Sequence, residues 1–389
     1  MQETAMTMIH SLRWQFDDPV HQKHVAERLI ALKAALRAEV TDTTAPHSLR
    51  LATWNIMHFG NGGGYRRRPE SMLYIAEIID HFDVVAIQEV NRDLTALETL
   101  LDKHLGSDWD YLVTDAAGGH GERTDAGNNE RLAFLYRRSK VVFCKETGEI
   151  VLPEGQEIAA PGSDGATRKV QFARTPFSVA FRSSWFKFKL CTVHIHYGDD
   201  KNPPDLKHRR DEIAKIAGFL SDRQAAEMKA AVKRAKEDGW AEPQDAARDY
   251  SYILLGDFNI VSPTHETMQA LSDAGFEIPT KLHTTNLGNS HHYDQIAFKS
   301  AHPGFQVIRS GVFDMLAHVY RDADAGHYVD HVKPERFKLD SKKRPRTRDQ
   351  QINYFKATFR RNQMSDHKLL WCEIRTDFSE DYLTDIAAG

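Results

Sequence analysis

Cysteine is scarce: Cys144, Cys191 and Cys372 are the only three in 389 residues. They stand far apart with no CxxC, which excludes a disulfide framework and a thiolate zinc site and leaves them as small buried hydrophobes. No run of eighteen apolar residues occurs, so no stretch reads as a membrane-spanning helix. The opening MQETAMTMIHSLRWQFDD lacks the basic start and apolar core of a secretory leader, and the expectation is a cytoplasmic protein with no membrane partner. Neither sign of charge is in large excess. Fifty-one Lys plus Arg against 55 Asp plus Glu give a net charge of -4, so a polyanion must be met by a local basic face rather than a global field. Internal repeats and long low-complexity tracts are absent as well. With 41% hydrophobic and 27% charged residues, the chain has the composition of an ordinary globular protein with a sizeable core.

What is present begins with an amphipathic stripe. Val25, Leu29, Leu32 and Leu36 recur at helical spacing between charged residues, predicting a helix over 19–41. Its preferred role is to cap an exposed flank of the body; docking a partner protein or a second copy is the alternative. TDTTAPHS then breaks the pattern as a linker. From Leu49 onward, strand-length apolar runs alternate with helical stretches: LRLATWNI, a helix near 71–81, FDVVAIQEV, and a helix near 94–105. Residues 111–188 are strand-rich, with Gly-rich loops at 116–129 and 153–169. A charged helical segment near 205–237 follows, then the strands YILLGDFNI, YDQIAF and LLWCEI.

Asn55, Glu89, His194, Asp257 with Asn259, Asp294, and Asp366 with His367 stand at the ends of such apolar runs. Strand ends carrying carboxylates lie at the rim of a sheet, where several can converge in one crevice. Hard oxygen donors without a thiolate suit Mg²⁺, with Mn²⁺ or Ca²⁺ as alternatives. Histidines beside them can transfer protons near neutral pH.

The order of these residues adds a resemblance. WN (Trp54, Asn55), QEV (Gln88 to Val90), VHIH (Val193 to His196), GDFN (Gly256 to Asn259), YDQI (Tyr293 to Ile296) and SDH (Ser365 to His367) resemble the serial motifs of the endonuclease/exonuclease/phosphatase superfamily. NNERLAFLYRRSKV, FARTPFSVAF and TT…HHYDQI bring the resemblance nearest to its deoxyribonuclease I-like branch. The chain departs from that branch at Asp125 and Asn128, where the branch presents an arginine and a tyrosine to the minor groove. The resemblance implies an α/β fold, a four-layer α/β/β/α sandwich of two mixed sheets packed face to face with outer helices. It implies that Glu89 binds the metal with Asn55 and Asp366, and that Asp257 and Asn259 position the attacking water and the scissile phosphate. His194 and His367 would flank the phosphorus, oriented by Glu130 and Asp294, while Arg174 would contact a backbone phosphate.

Arg66 and Arg67 in GNGGGYRRR and Arg92 after the Glu89 strand are further phosphate-binding candidates, joined by Arg209 and Arg210 at the start of the long helix. His196 reads as a rim histidine, or else as an auxiliary ligand. The implied organisation is an accessory helical extension (1–47), a catalytic domain (48–378) with a basic insertion near 320–363, and a tail (379–389). That insertion is either a nucleic-acid clamp or a disordered charged loop. The expected activity is that of a metal-dependent nuclease, a DNA endonuclease leaving 5′-phosphate and 3′-hydroxyl ends. The alternatives are a phosphodiesterase or phosphatase for lipid headgroups or inositol phosphates, and a non-catalytic DNA-binding scaffold.

Overall fold

The structure, a computed structural model, describes residues 7–115, 130–161 and 166–388. The segment carrying Asp125 and Asn128 lies outside the described residues. The strands are β1 (Ser48–Phe59), β2 (Val84–Val90), β3 (Trp109–Val113), β4 (Arg131–Arg137), β5 (Val142–Glu149), β6 (Ile158–Pro161), β7 (Thr167–Val170), β8 (Phe177–Ser183), β9 (Phe186–His194), β10 (Ser251–Asp257), β11 (Asp294–Lys299), β12 (Val307–Phe313) and β13 (Leu369–Arg375). Six form one sheet in the order β12-β13-β1-β2-β4-β3, five form a second in the order β11-β10-β9-β8-β5, and β6 and β7 make a separate hairpin. β1 runs parallel to β2 and β9 parallel to β10, while the remaining pairs are antiparallel, so both large sheets are mixed.

Period-two alternation divides each strand between two layers. In β1, Leu49 and Leu51 face the second sheet, where they join Phe181, Phe188, Leu190, Ile253 and Leu255 in a central core. Ala52, Trp54 and Ile56 face outward instead, beneath the Pro69–Ile79 helix, which contributes Leu73, Ile75 and Ile79. On the other side, Cys191, Val193 and Leu254 pack under Ile213, Ile216 and Leu220 of the 35-residue Pro203–Glu237 helix. Helix, sheet, sheet, helix is the four-layer sandwich. Cys191 and Cys372 are buried as the sequence predicts, whereas Cys144 is only half-buried, on strand β5.

The Pro19–Leu36 helix is capped by the Asp18 side chain on the Val20 amide and buries Val25, Leu29, Leu32 and Leu36. These enter the same apolar cluster as Tyr320, Tyr328, Phe337, Phe355 and Phe359 of the 320–363 segment. That segment is therefore not a disordered loop but a series of short helices, among them Arg348–Tyr354 with Thr347 as its cap. Much of its positive charge is paired internally, Arg344 with Asp340, Arg348 with Asp330 and Arg360 with Asp322. His21 Nδ1 meets His327 Nε2 at 3.0 Å across the seam between helix and segment, and the His24 ring stacks on His327 with centroids 4.0 Å apart.

Candidate functional site

The same alternation that buries Leu49, Leu51 and Leu255 carries Asn55 and Asp257 onto the inner faces of their strands, beyond the apolar run. Gln88 and His194 follow by the same parity on β2 and β9. At this end the two sheets are joined by polar contacts rather than by aliphatic packing. Gln88 Nε2 donates to Thr192 Oγ1 at 2.9 Å, and Asn55 Nδ2 donates to Asp257 Oδ2 at 3.0 Å. Glu89 falls on the opposite parity, but its backbone adopts a φ of 60° at a register shift between β2 and its neighbours. This bulge turns its carboxylate back to the crevice, where Oε1 accepts from Asn55 Nδ2 at 2.9 Å and Oε2 accepts from the His58 amide at 2.8 Å.

Two imidazoles complete the crevice. His367 Nδ1 lies 2.8 Å from Asp294 Oδ2, and His194 Nδ1 lies 3.2 Å from Glu130 Oε2. Their Nε2 atoms both point at Asp257 Oδ2, at 3.6 Å from His194 and 3.7 Å from His367. Glu130 also accepts from Arg174 Nε at 3.0 Å, which ties the arginine to the same network. Asp257 Oδ1 accepts from the Asn259 amide at 2.9 Å, and Asn259 Nδ2 donates to the Ile195 carbonyl at 2.8 Å. The register of β9 against β10 sets Asp257 opposite His194.

Charge follows from these contacts. Burial opposes the Glu130 charge, yet His194 and Arg174 outweigh it and hold the carboxyl at about 2. Burial likewise disfavours a charged His367, but Asp294 and Asp257 raise its pKa well above the usual histidine range. His194 is raised too, burial and Arg174 being overcome by Glu130 and Asp257. Asp257 is lowered despite burial, because both imidazoles face it. The crevice is thus set for alternating charge, with the protons shared as a set.

Asp366 is half-buried in the bend before β13, and its charge acts on Arg67 and His367. Among the described residues, the ligand atoms that gather around Glu89 within 4.8 Å of one another belong to His58 and Glu130, and a second such group is Asp257, Asp294 and His367. Asp366 is in neither. Asn55 is 1% exposed and its Oδ1 has no hydrogen-bond partner among the described residues. An orphaned amide oxygen beside hard carboxylates fits a divalent cation.

The arginines divide. Arg66 and Arg92 are exposed. Arg67, expected to reach phosphate, is turned inward instead, donating to the carbonyls of Tyr65, Met57 and Met364 at 2.8, 2.7 and 3.0 Å. Burial pulls its guanidinium down to about 10 against Tyr320, Glu89 and Asp366. Its role is carbonyl satisfaction, since it gathers acceptors from the end of β1, the loop after it and the bend before β13. Arg209 is fully buried and likewise holds the carbonyls of His196, Tyr197 and Asn259. Arg210 pairs with Asp211 and Glu266. His196 faces the long helix, its ring stacked on His208 at 4.4 Å and its Nε2 lying 3.6 Å from Asp205.

Sequence reasoning passed over Glu212. It is fully buried, and its two oxygens accept from the Ala173 amide at 2.8 Å and the His196 amide at 2.9 Å, which links the Arg174 segment to the exit of the His194 strand. The signal was its place on the helix stripe with Arg209, Ile213, Ile216 and Leu220, where a charge is out of pattern. Burial raises its carboxyl to about 7, and the two amides only partly offset this. The folded state therefore holds this proton more tightly than the unfolded chain does, and stability falls as pH rises from about 4.5 through 7. Urea unfolding of the wild type and Glu212→Gln at pH 5 and pH 8 should show the wild type losing about 2 kcal/mol more than the variant over that interval. Parallel curves would refute the assignment.

Residues 52–367 match the Endonuclease/Exonuclease/phosphatase family. The chain belongs to that family. A protein of Thioalkalivibrio sp. (strain K90mix) named "Deoxyribonuclease" is 29% identical over 258 residues, covering 65% of this chain, and the match spans 57% of that relative's length. Among solved structures, an endonuclease/exonuclease/phosphatase family protein from Bacteroides thetaiotaomicron gives a TM-score of 0.47 at 20% identity, covering 86% of this chain and 99% of that one. The mannosyl-6-phosphatase Bt3783 of Bacteroides thetaiotaomicron VPI-5482 gives 0.46 at 20% identity, covering 84% and 99%. Family members are phosphoester hydrolases that generally use divalent metals. No helix among the described residues of this family member is long and apolar enough to cross a membrane.

Proposed function

We propose that this chain is a divalent-metal-dependent endonuclease that hydrolyses DNA phosphodiesters to leave 5′-phosphate and 3′-hydroxyl ends. The observation that carries the reading is the convergence of His194 Nε2 and His367 Nε2 on Asp257 Oδ2, at 3.6 and 3.7 Å. Each imidazole has its other nitrogen at a carboxylate, Glu130 or Asp294. That pairing fixes ring orientation and leaves Nε2 to act on a group seated between the rings. The deoxyribonuclease name of the relative favours a nucleic acid as that group's owner.

In this reading, Glu89 with Asn55 would hold Mg²⁺, or Mn²⁺ or Ca²⁺ in its place, and Asp366, outside the ligand atoms gathered around Glu89, would support the site through its charge. When bound, the ion supplies Lewis acidity to the phosphoryl oxygens and to the departing O3′. Asp257 and Asn259 orient water for in-line attack on phosphorus. One histidine of the pair takes the water's proton and the other gives a proton to O3′ as the P–O3′ bond breaks. Arg174, Arg66 and Arg92 would contact backbone phosphates beside the crevice.

Side-by-side incubation with supercoiled plasmid, linear duplex, single-stranded DNA, RNA and a phosphomonoester tests the proposal. With Mg²⁺ or Mn²⁺ the plasmid should be nicked to ends that a ligase reseals, and chelation by EDTA should abolish cleavage. Release of inorganic phosphate from the monoester with the plasmid left intact would overturn it.

A further inference from the structure

We infer that His58 is an additional ligand of the cation held by Glu89, so that the site carries one imidazole nitrogen among its oxygens and favours Mn²⁺ over Mg²⁺. The inference rests on the reading just given and adds a residue that no motif supplied. His58 lies three positions beyond Asn55 on β1, and its Nδ1 stands 3.5 Å from Glu89 Oε2. Two ligands at about 2.1 Å from one ion, on adjacent vertices of an octahedron, lie about 3 Å apart, close to that separation. Glu130 brings a third ligand atom within 4.8 Å of both.

Several features hold the imidazole there. The His58 backbone has a φ of 50°, an uncommon conformation for a non-glycine residue, and its amide is fixed on Glu89 Oε2 at 2.8 Å. The ring leans on Tyr65 with centroids 4.4 Å apart at 57°. The independent sign that a ligand belongs here is Asn55, buried beside the same carboxylate with an unpartnered Oδ1. An all-oxygen site suits Mg²⁺, which demands near-ideal octahedral geometry, whereas a nitrogen donor raises affinity for first-row transition ions.

Pulsed EPR of Mn²⁺ added to metal-stripped protein reads the ligand directly. The wild type should show ¹⁴N modulation, replaced by ¹⁵N modulation when histidine is isotopically labelled. His58→Asn, which tolerates a left-handed backbone, should lose the signal and weaken Mn²⁺ binding about 10-fold or more, with Mg²⁺ binding changed far less. His194→Ala should keep the signal. Bound Mn²⁺ without nitrogen modulation, or modulation that persists in His58→Asn, would overturn the role of His58 while leaving the hydrolase reading intact. Failure of the wild type to take up Mn²⁺ at all would overturn both.

Discussion

Replacing His367 by alanine will lower DNA cleavage at saturating substrate by roughly 10²- to 10⁴-fold, the range for loss of a general acid or base. His367 is 8% exposed, lies 2.8 Å from Asp294, and with His194 directs its Nε2 at Asp257 Oδ2, the one carboxylate oxygen among the described residues on which both rings converge. His194→Ala should cost a similar factor, and the double variant little more than either single one, because groups that act as a unit are not additive. Removing His367 also strands the fully buried Asp294 without its partner, which is worth about 3 kcal/mol of stability. Combining it with Asp294→Ala should therefore restore the unfolding midpoint without restoring cleavage. Arg66→Ala or Arg92→Ala should instead weaken binding and reduce its salt slope by about 1. Equal losses of kcat for an exposed arginine and for His367 would show that the histidine pair does not perform the chemistry.

Gly256→Ala is expected to destabilise the protein by about 3 kcal/mol or more, or to prevent folding altogether. Gly256 has a φ of 136°, and a Cβ there would stand 2.2 Å from the Val193 carbonyl oxygen and 2.8 Å from the Val193 nitrogen. Both atoms are backbone of the adjacent strand, so no side-chain rotation relieves the overlap. Gly256 pairs with Val193 one register position before Asp257 pairs with His194. Forcing the strands apart at this point separates the carboxylate from its imidazole as well. Urea unfolding and plasmid nicking measure the two effects together. A variant as stable and as active as the parent would mean that the close approach of β9 and β10 is not required.

The elements that the sequence disclosed are those whose pattern is local. The Val25, Leu29, Leu32, Leu36 stripe and the runs ending in Asn55, Glu89, His194 and Asp257 each carry their own periodicity, and the structure builds a helix and four strands from them. Strand β12 was not legible. It lies at a sheet edge with Ile308 exposed and Arg309 paired to Glu373, and Gly311 takes its place because a Cβ would press on the Trp371 ring at 2.9 Å. The fold of the 320–363 segment was hidden by its surface charge, since Phe337, Phe355 and Phe359 find their apolar partners on residues far away in the chain. Arg67 and Arg209 read as phosphate contacts because each sits in an arginine cluster next to a site strand or loop; only the tertiary course of the carbonyls around them reveals that they point inward. His58 carries no sequence signal, as its relation to Glu89 is made by a left-handed turn at each residue.

The apolar layer shared by the Pro19–Leu36 helix and the 320–363 segment makes each the other's cover. Leu29, Leu32 and Leu36 have Tyr320, Tyr328 and Phe355 as company in one cluster, and His21 touches His327 over the seam. Either piece removed alone would leave several large side chains facing water, at about 1.5–3 kcal/mol for each one uncovered. Truncating the chain before residue 37 should therefore loosen the 320–363 segment as well, so the two act as one packing unit although nearly three hundred residues separate them.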